Sequence, residues 1–169
     1  PHHTQLFLDN SESAPDFVAT TRFKVLAWEG EPPTIYLNGR LGNGGFRGLA
    51  IRDASASATC FFGRQQNSPR FGNVRVTPKL TDKTWVRAAV ACYRNQVFAR
   101  VWADGAPEPK WQISGEAEGQ PSGRFAVVVW TSPRTPSKAQ VLFDDITFRP
   151  LNEKDLAAFK IETIGRPLL

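Results

Sequence analysis

The residues best equipped for chemistry crowd into one stretch, Thr84 to Trp111, reading TWVRAAVACYRNQVFARVWADGAPEPKW. Arg87, Arg100, Trp102 and Trp85 fall there, and Trp130 follows in a later run, RFAVVVWT. Flat indole rings can lie under the apolar face of a sugar ring. The planar arginine fork donates two parallel hydrogen bonds to hydroxyls or carboxylates. This set therefore predicts a binding face for a poly- or oligosaccharide, with anionic sugars within its range. The competing reading is purely structural: tryptophans cover a sheet and arginines lie over them as cation–π pairs. Arg87, Arg100 and Trp102 are the leading ligand candidates, because register within one hairpin is the most secure. Trp85 and Trp130 come next.

A second constellation is Asp144-Asp145 in QVLFDDITF. Adjacent strand residues face opposite ways, so one of the two is expected to point at the core, where a carboxylate needs a partner. Backbone amides, an arginine or a cation would each serve. Catalysis is the thinnest prospect. The acids Glu29, Glu31, Asp104, Glu108, Glu116 and Glu118 sit mostly in turns, whereas glycoside hydrolysis wants two carboxylates flanking one bond. Both histidines, His2 and His3, lie at the terminus, which leaves no Ser-His or Cys-His nucleophile system and too few ligands for zinc beside Cys60 and Cys92. A lyase could use a Tyr/Arg pair, and Tyr93 with Arg87 fall on one side of their strand. The two cysteines either pair or stay as small buried hydrophobes. The loop GNGGFRG lacks the lysine and hydroxyl of a phosphate-cradling loop.

The elements that must hold these residues are read from their period. In Thr84–Trp111, Val86, Ala88, Val90 and Cys92 form one apolar row, and Val97, Ala99, Val101 and Ala103 another. Arginine and aromatic residues alternate with both. A period of two marks strands with one face on a core, here a hairpin turning at Arg94-Asn95-Gln96. Further strands are predicted at residues 4–8, 17–28, 34–37, 48–53, 58–63, 73–77, 111–113, 124–131 and 140–148. Short strands at this spacing, punctuated by 13 glycines and 13 prolines, predict an all-β sandwich. The only helix signal comes last: Asn152 as cap, Leu151 and Leu156 at staple positions, and Gly165 with Pro167 as a stop. Alternation at Phe159–Glu162 leaves an extended tail as the other option. The division expected is a sandwich over 1–150 and a tail over 151–169, packed on the domain or leading to a neighbour.

At 169 residues the chain has the length of one domain with one core. Its net charge of +5 leans towards anionic partners, but 21 basic residues are offset by 16 acidic ones with no basic block, which disfavours nucleic acid. No apolar run approaches the ~20 residues of a membrane span. The chain starts at proline, as a mature form or a segment of something longer would.

The succession GLAIRD, TWVRAAV…VFARVWADGAPEPKW, SGRFAVVVW and VLFDDITF resembles the laminin-G-like, concanavalin A-like jelly rolls of bacterial and phage proteins. The resemblance covers Phe17 to Phe148, and Ala126 stands where a glycine is more usual. It implies a two-sheet antiparallel jelly-roll sandwich with a concave sheet, used in carbohydrate-binding modules, adhesins, phage tail proteins and some glycanases. It also implies a structural calcium near the first and last strands, for which Asp144, Asp145 and Asp9 are the candidate ligands. The E-x-D-x-x-E strand of laminarinase-type members has no counterpart here. Three functions remain, since fold does not settle function. The leading one is a non-catalytic glycan-binding or adhesion module, extracellular or on a cell or virion surface. The others are a structural interaction module of a phage tail or virion, and a glycoside hydrolase or polysaccharide lyase.

Overall fold

A computed structural model describes residues 3–7, 15–42, 45–52, 57–63, 70–75, 77–116, 124–133 and 137–164. Among the described residues, eleven strands and one α-helix follow in order, with a single 3-10 turn at Leu80–Asp82 between β6 and β7: β1 His3–Phe7, β2 Phe17–Glu29, β3 Thr34–Gly42, β4 Gly45–Arg52, β5 Ser57–Gly63, β6 Arg70–Arg75, β7 Val86–Tyr93, β8 Gln96–Ala103, β9 Ile113–Glu116, β10 Arg124–Trp130, β11 Lys138–Pro150 and α1 Glu153–Ile164. They build two antiparallel sheets. The six-stranded sheet has the order β1-β10-β3-β4-β5-β6, and the five-stranded sheet β11-β2-β7-β8-β9.

The core between the sheets is the apolar alternation made physical. Phe17, Ala19, Phe23 and Val25 of β2 meet Val86, Ala88, Val90 and Cys92 of β7 and Val97, Ala99 and Val101 of β8. From the facing sheet come Ile35, Leu37, Leu49, Ile51, Phe125 and Val127. The Phe17 ring lies tilted against Phe148 at 4.8 Å and meets Phe125 edge-on at 6.2 Å. Gly39 makes room for it, since a Cβ there would lie 2.3 Å from Phe17 Cζ. Removing this apolar surface from water is the main force holding the sheets together.

Two irregularities correct the simple alternation. The β11–β2 register slips between Gln140 and Val141, which turns Trp28 towards the core although strict alternation puts it outside. It slips again between Asp144 and Thr147, where Asp145 takes a left-handed φ of 51°. Phe143, Ile146 and Phe148 stay inward across this bulge. β3 also runs on past Asn38-Gly39, where the turn residues predict its end.

The tail is a helix, and it docks. Asn152 Oδ1 accepts from the Asp155 amide at 3.1 Å and Asp155 Oδ2 accepts from the Asn152 amide at 2.9 Å, a reciprocal cap that satisfies otherwise orphaned N–H groups. Leu151 and Leu156 pack at the helix start, and Phe159 is buried against the outer face of the five-stranded sheet.

Candidate functional site

The outer face of the five-stranded sheet carries Arg87, Arg100 and Trp102, with Trp85 just before β7. Register lays its residues out in rows. Val18, Ala91 and Phe98 form one, Thr20, Ala89 and Arg100 the next, and Arg22, Arg87 and Trp102 a third. The rows divide into two neighbourhoods of opposite character.

The first row is covered. Phe159 stacks on Phe98 with ring centroids 4.0 Å apart and on Tyr93 at 6.1 Å, and meets the Trp111 ring at a tilt at 5.6 Å. Arg100 is drawn into this packing. Its guanidinium lies 4.2 Å from the Trp111 ring centre and 5.7 Å from that of Trp102, donates to the Pro109 carbonyl at 3.1 Å and pairs with Glu108. Arg100 and Trp102 thus act as a joint between sheet, exit loop and helix. Sequence periodicity placed them on the outer face but could not show that the tail covers it.

The third row is open. Arg22 and Arg87 oppose each other directly across β2 and β7, a like-charge pairing that is unfavourable unless neutralised. Three carboxylates neutralise it. Arg87 Nε donates to Asp104 Oδ1 at 2.5 Å and its Nη2 to Asp145 Oδ2 at 3.2 Å. Arg22 reaches Asp144 at 2.5 Å, Asp104 at 3.3 Å and Asp145 at 3.3 Å. The Arg22 guanidinium also lies 4.8 Å from the Trp85 ring centre. The hydrogen bond from Arg87 holds the Asp104 carboxyl below the usual carboxylate range, and that from Arg22 does the same for Asp144. Both arginines are held correspondingly further into their charged form.

The bulge in β11 explains this lattice. Asp144 and Asp145 both face outward, each side chain 48% exposed, where alternation predicts one of them inside. Inside the bulge the buried Thr21 hydroxyl reaches the Asp144 carbonyl at 3.2 Å, and Asp144 Oδ1 accepts from the Asp145 amide at 2.8 Å. The partners of both carboxylates are arginines. A calcium at Asp144 and Asp145 would have to displace two guanidinium groups, and no cluster of three or more metal-ligating side chains stands among the described residues. Asp9 lies outside the described residues.

Two expectations separate in space. Trp130 ends β10 in the six-stranded sheet, so it does not share a face with Arg87. Tyr93 and Arg87 occupy opposite ends of β7, about 20 Å apart at the usual strand rise, and Tyr93 lies against Phe159. They form no lyase-like pair. Asp104, which the sequence reads only as an acid in a turn, is a partner in the site, and Arg22, which falls on the outward side of its strand, is the arginine that joins Arg87 there. The signal available was the direct register of Arg22 with Arg87, which becomes legible only once β2 and β7 are known to pair.

No family model and no curated protein matches the chain. Solved structures do. A carbohydrate-binding module, CBM66, from Bacillus subtilis superposes with a TM-score of 0.63 at 11% identity, over 87% of this chain and 94% of that one. The exoplasmic/lumenal domain of VIP36, in its Ca2+/Man3GlcNAc-bound form, gives 0.61 at 9% identity, over 89% and 75%. The GH43 protein BlXynB from Bacillus licheniformis gives 0.62 at 9% identity over 89% of this chain but only 33% of its own. With two antiparallel sheets in this order packed around one core, the chain is a concanavalin A-like jelly-roll sandwich.

Proposed function

We propose that this domain is a non-catalytic carbohydrate-binding module, and that the lattice of Arg22, Arg87, Asp104, Asp144 and Asp145 beside Trp85 is its binding surface. One observation carries the reading. A half-exposed array of paired donors and acceptors is fixed on rigid strands next to an indole ring. Sugar hydroxyls both donate and accept, so an alternating array can serve several of them at once while the ring takes an apolar face. The similarity to CBM66 and VIP36 supports the same class of ligand.

The charge balance refines the class. Two guanidinium groups face three carboxylates, so the surface offers no surplus positive charge to a uronic or sulfated sugar. Neutral oligosaccharides fit better than anionic ones. A hydrolase is disfavoured because Asp104 and Asp144 are held as carboxylates, whereas an acid catalyst needs a raised pKa. Such a module works outside the cell or on a virion surface, where glycans are met.

The test is a glycan array on the purified domain, with and without calcium, comparing wild type with Arg87→Ala and with Lys138→Ala as an exposed control. Saturable binding lost at least tenfold in Arg87→Ala and kept in Lys138→Ala supports the proposal. A blank array on folded protein would move the choice to the structural interaction module, with this face packed on a partner chain.

A further inference from the structure

The outer face of the five-stranded sheet is walled on two sides, and the walls meet beside the lattice. Helix α1 is the first wall. It starts where β11 ends, held there by the Arg149–Asp155 pair and by the Leu151 amide, which donates to the Asp16 carbonyl at 3.3 Å. It then crosses β2 and β7 to set Phe159 on Phe98 of β8. Val18 and Ala91 are buried beneath it although both face away from the inter-sheet core. Ala89, one row nearer the lattice, is buried as well. The loop from Asp104 to Lys110 is the second wall. It folds back along β8, where its Pro109 carbonyl and Glu108 carboxylate both hold Arg100. Arg100 and Trp102 stand in the corner between the two.

Beyond the lattice, in the direction away from α1, the face continues. Two residues along β2 from Arg22, about 7 Å at the strand rise, Lys24 is in register with Leu142 of β11. Phe23 pairs with Val86, which brings Trp85 level with Lys24 on the other side. Phe143 packs on the core, so Leu142 points outward, where it is 43% exposed. This row therefore offers a leucine side chain and an indole ring on either side of a lysine, directly next to the half-exposed Arg22 and Arg87.

We infer that the site takes the end of a glycan chain and excludes its interior. The terminal sugar lies on Arg22 and Arg87 with its far side towards Trp102 and Arg100, and the chain leaves over Leu142, Lys24 and Trp85. Along the strands a longer chain would run into α1, and across them into the loop. The exit row suits the next sugar of the chain, with apolar contacts from Leu142 and Trp85 and a hydroxyl partner in Lys24. Residues further out meet solvent, so affinity stops growing with chain length. The inference rests on the sugar-binding reading above and adds which part of the chain is bound.

The experiment is isothermal titration calorimetry of the whole domain with cello-, xylo-, manno- and malto-oligosaccharides, each from disaccharide to hexasaccharide. Wild type is compared with Leu142→Ala and Phe159→Ala, the latter with circular dichroism to report the helix. In a series that binds, Kd should agree within about threefold from the shortest member to the longest, because residues that touch nothing add no binding energy. Leu142→Ala, an exposed edge-strand change, should weaken every member of that series alike. Phe159→Ala with its helix displaced should regain a dependence on length, as the covered rows open. A steady gain in wild-type affinity up to the hexasaccharide would put the chain interior on the site, overturning this inference while the sugar-binding reading stands. So would Leu142→Ala binding like wild type, or a displaced helix that leaves the length profile unchanged. No binding in any of the four series would sink both.

Discussion

Arg87 and Arg100 sit one strand apart and do different work, which follows from what each one touches. Arg100 is held between two indole rings and a loop carbonyl, so its removal should cost packing as well as charge. Arg100→Ala is expected to lose about 2 kcal/mol, several degrees of melting temperature, in thermal denaturation. Arg87→Ala removes a more exposed partner of a surface network and should melt close to wild type. If the two variants melt alike, the division of the face into a joint and an open lattice is wrong. Acid provides a second residue-scale test. Asp104, Asp144 and Asp155 all have folded pKa values below the ordinary carboxylate range, the last because Arg149 holds it in a bidentate pair at 2.6 and 2.9 Å. A depressed folded pKa gives stability that is fully present above the unfolded value. That stability fades as pH falls from about 5 and is lost through the folded pKa. Melting temperature should therefore drop between pH 5 and pH 2 (roughly), and Asp155→Asn should flatten that profile while lowering stability at pH 7.

At the scale of elements, helix α1 is tied to the sheet mainly by one ring. Phe159→Ala should cost the docking of the helix about 3–5 kcal/mol by large-to-small truncation. A far-ultraviolet circular dichroism change with little loss of the sandwich transition would show the helix leaving alone. The signals for the element itself were legible in the sequence: Asn152, Leu151 and Leu156 occupy the positions that start a helix. Its docking was not, because the partner surface, Phe98 and Trp111, is set by tertiary packing at long sequence distance. The hairpin behaves likewise. Its apolar rows read directly as the core face, since a period of two fixes which side is which. What alternation cannot show is a bulge, and the one at Asp145 turned an expected buried carboxylate into half of an exposed pair. A calcium at Asp144 and Asp145 would have to compete with the Arg22 and Arg87 guanidinium groups that hold both carboxylates. Chelation by EDTA is accordingly expected to leave the melting temperature of the domain unchanged, measured by scanning calorimetry.

The molecule as a whole is two sheets whose order interleaves early and late strands. β11 pairs along its length with β2, and the Thr20 and Thr147 hydroxyls meet at 2.6 Å across 127 residues of sequence. β10 likewise fills the place between β1 and β3. During synthesis, then, no early portion of this chain can close its sandwich. Until Lys138–Pro150 has emerged, Phe17 and Phe23 lack the Phe148 and Phe143 rings they meet in the finished core, and one edge of β2 stands unpaired. Such non-local pairing slows folding and lengthens the time for which sticky strands are exposed. A nascent chain stopped before β11 should therefore be protease-sensitive and chaperone-bound on the ribosome, and resistance should arrive in a single late step.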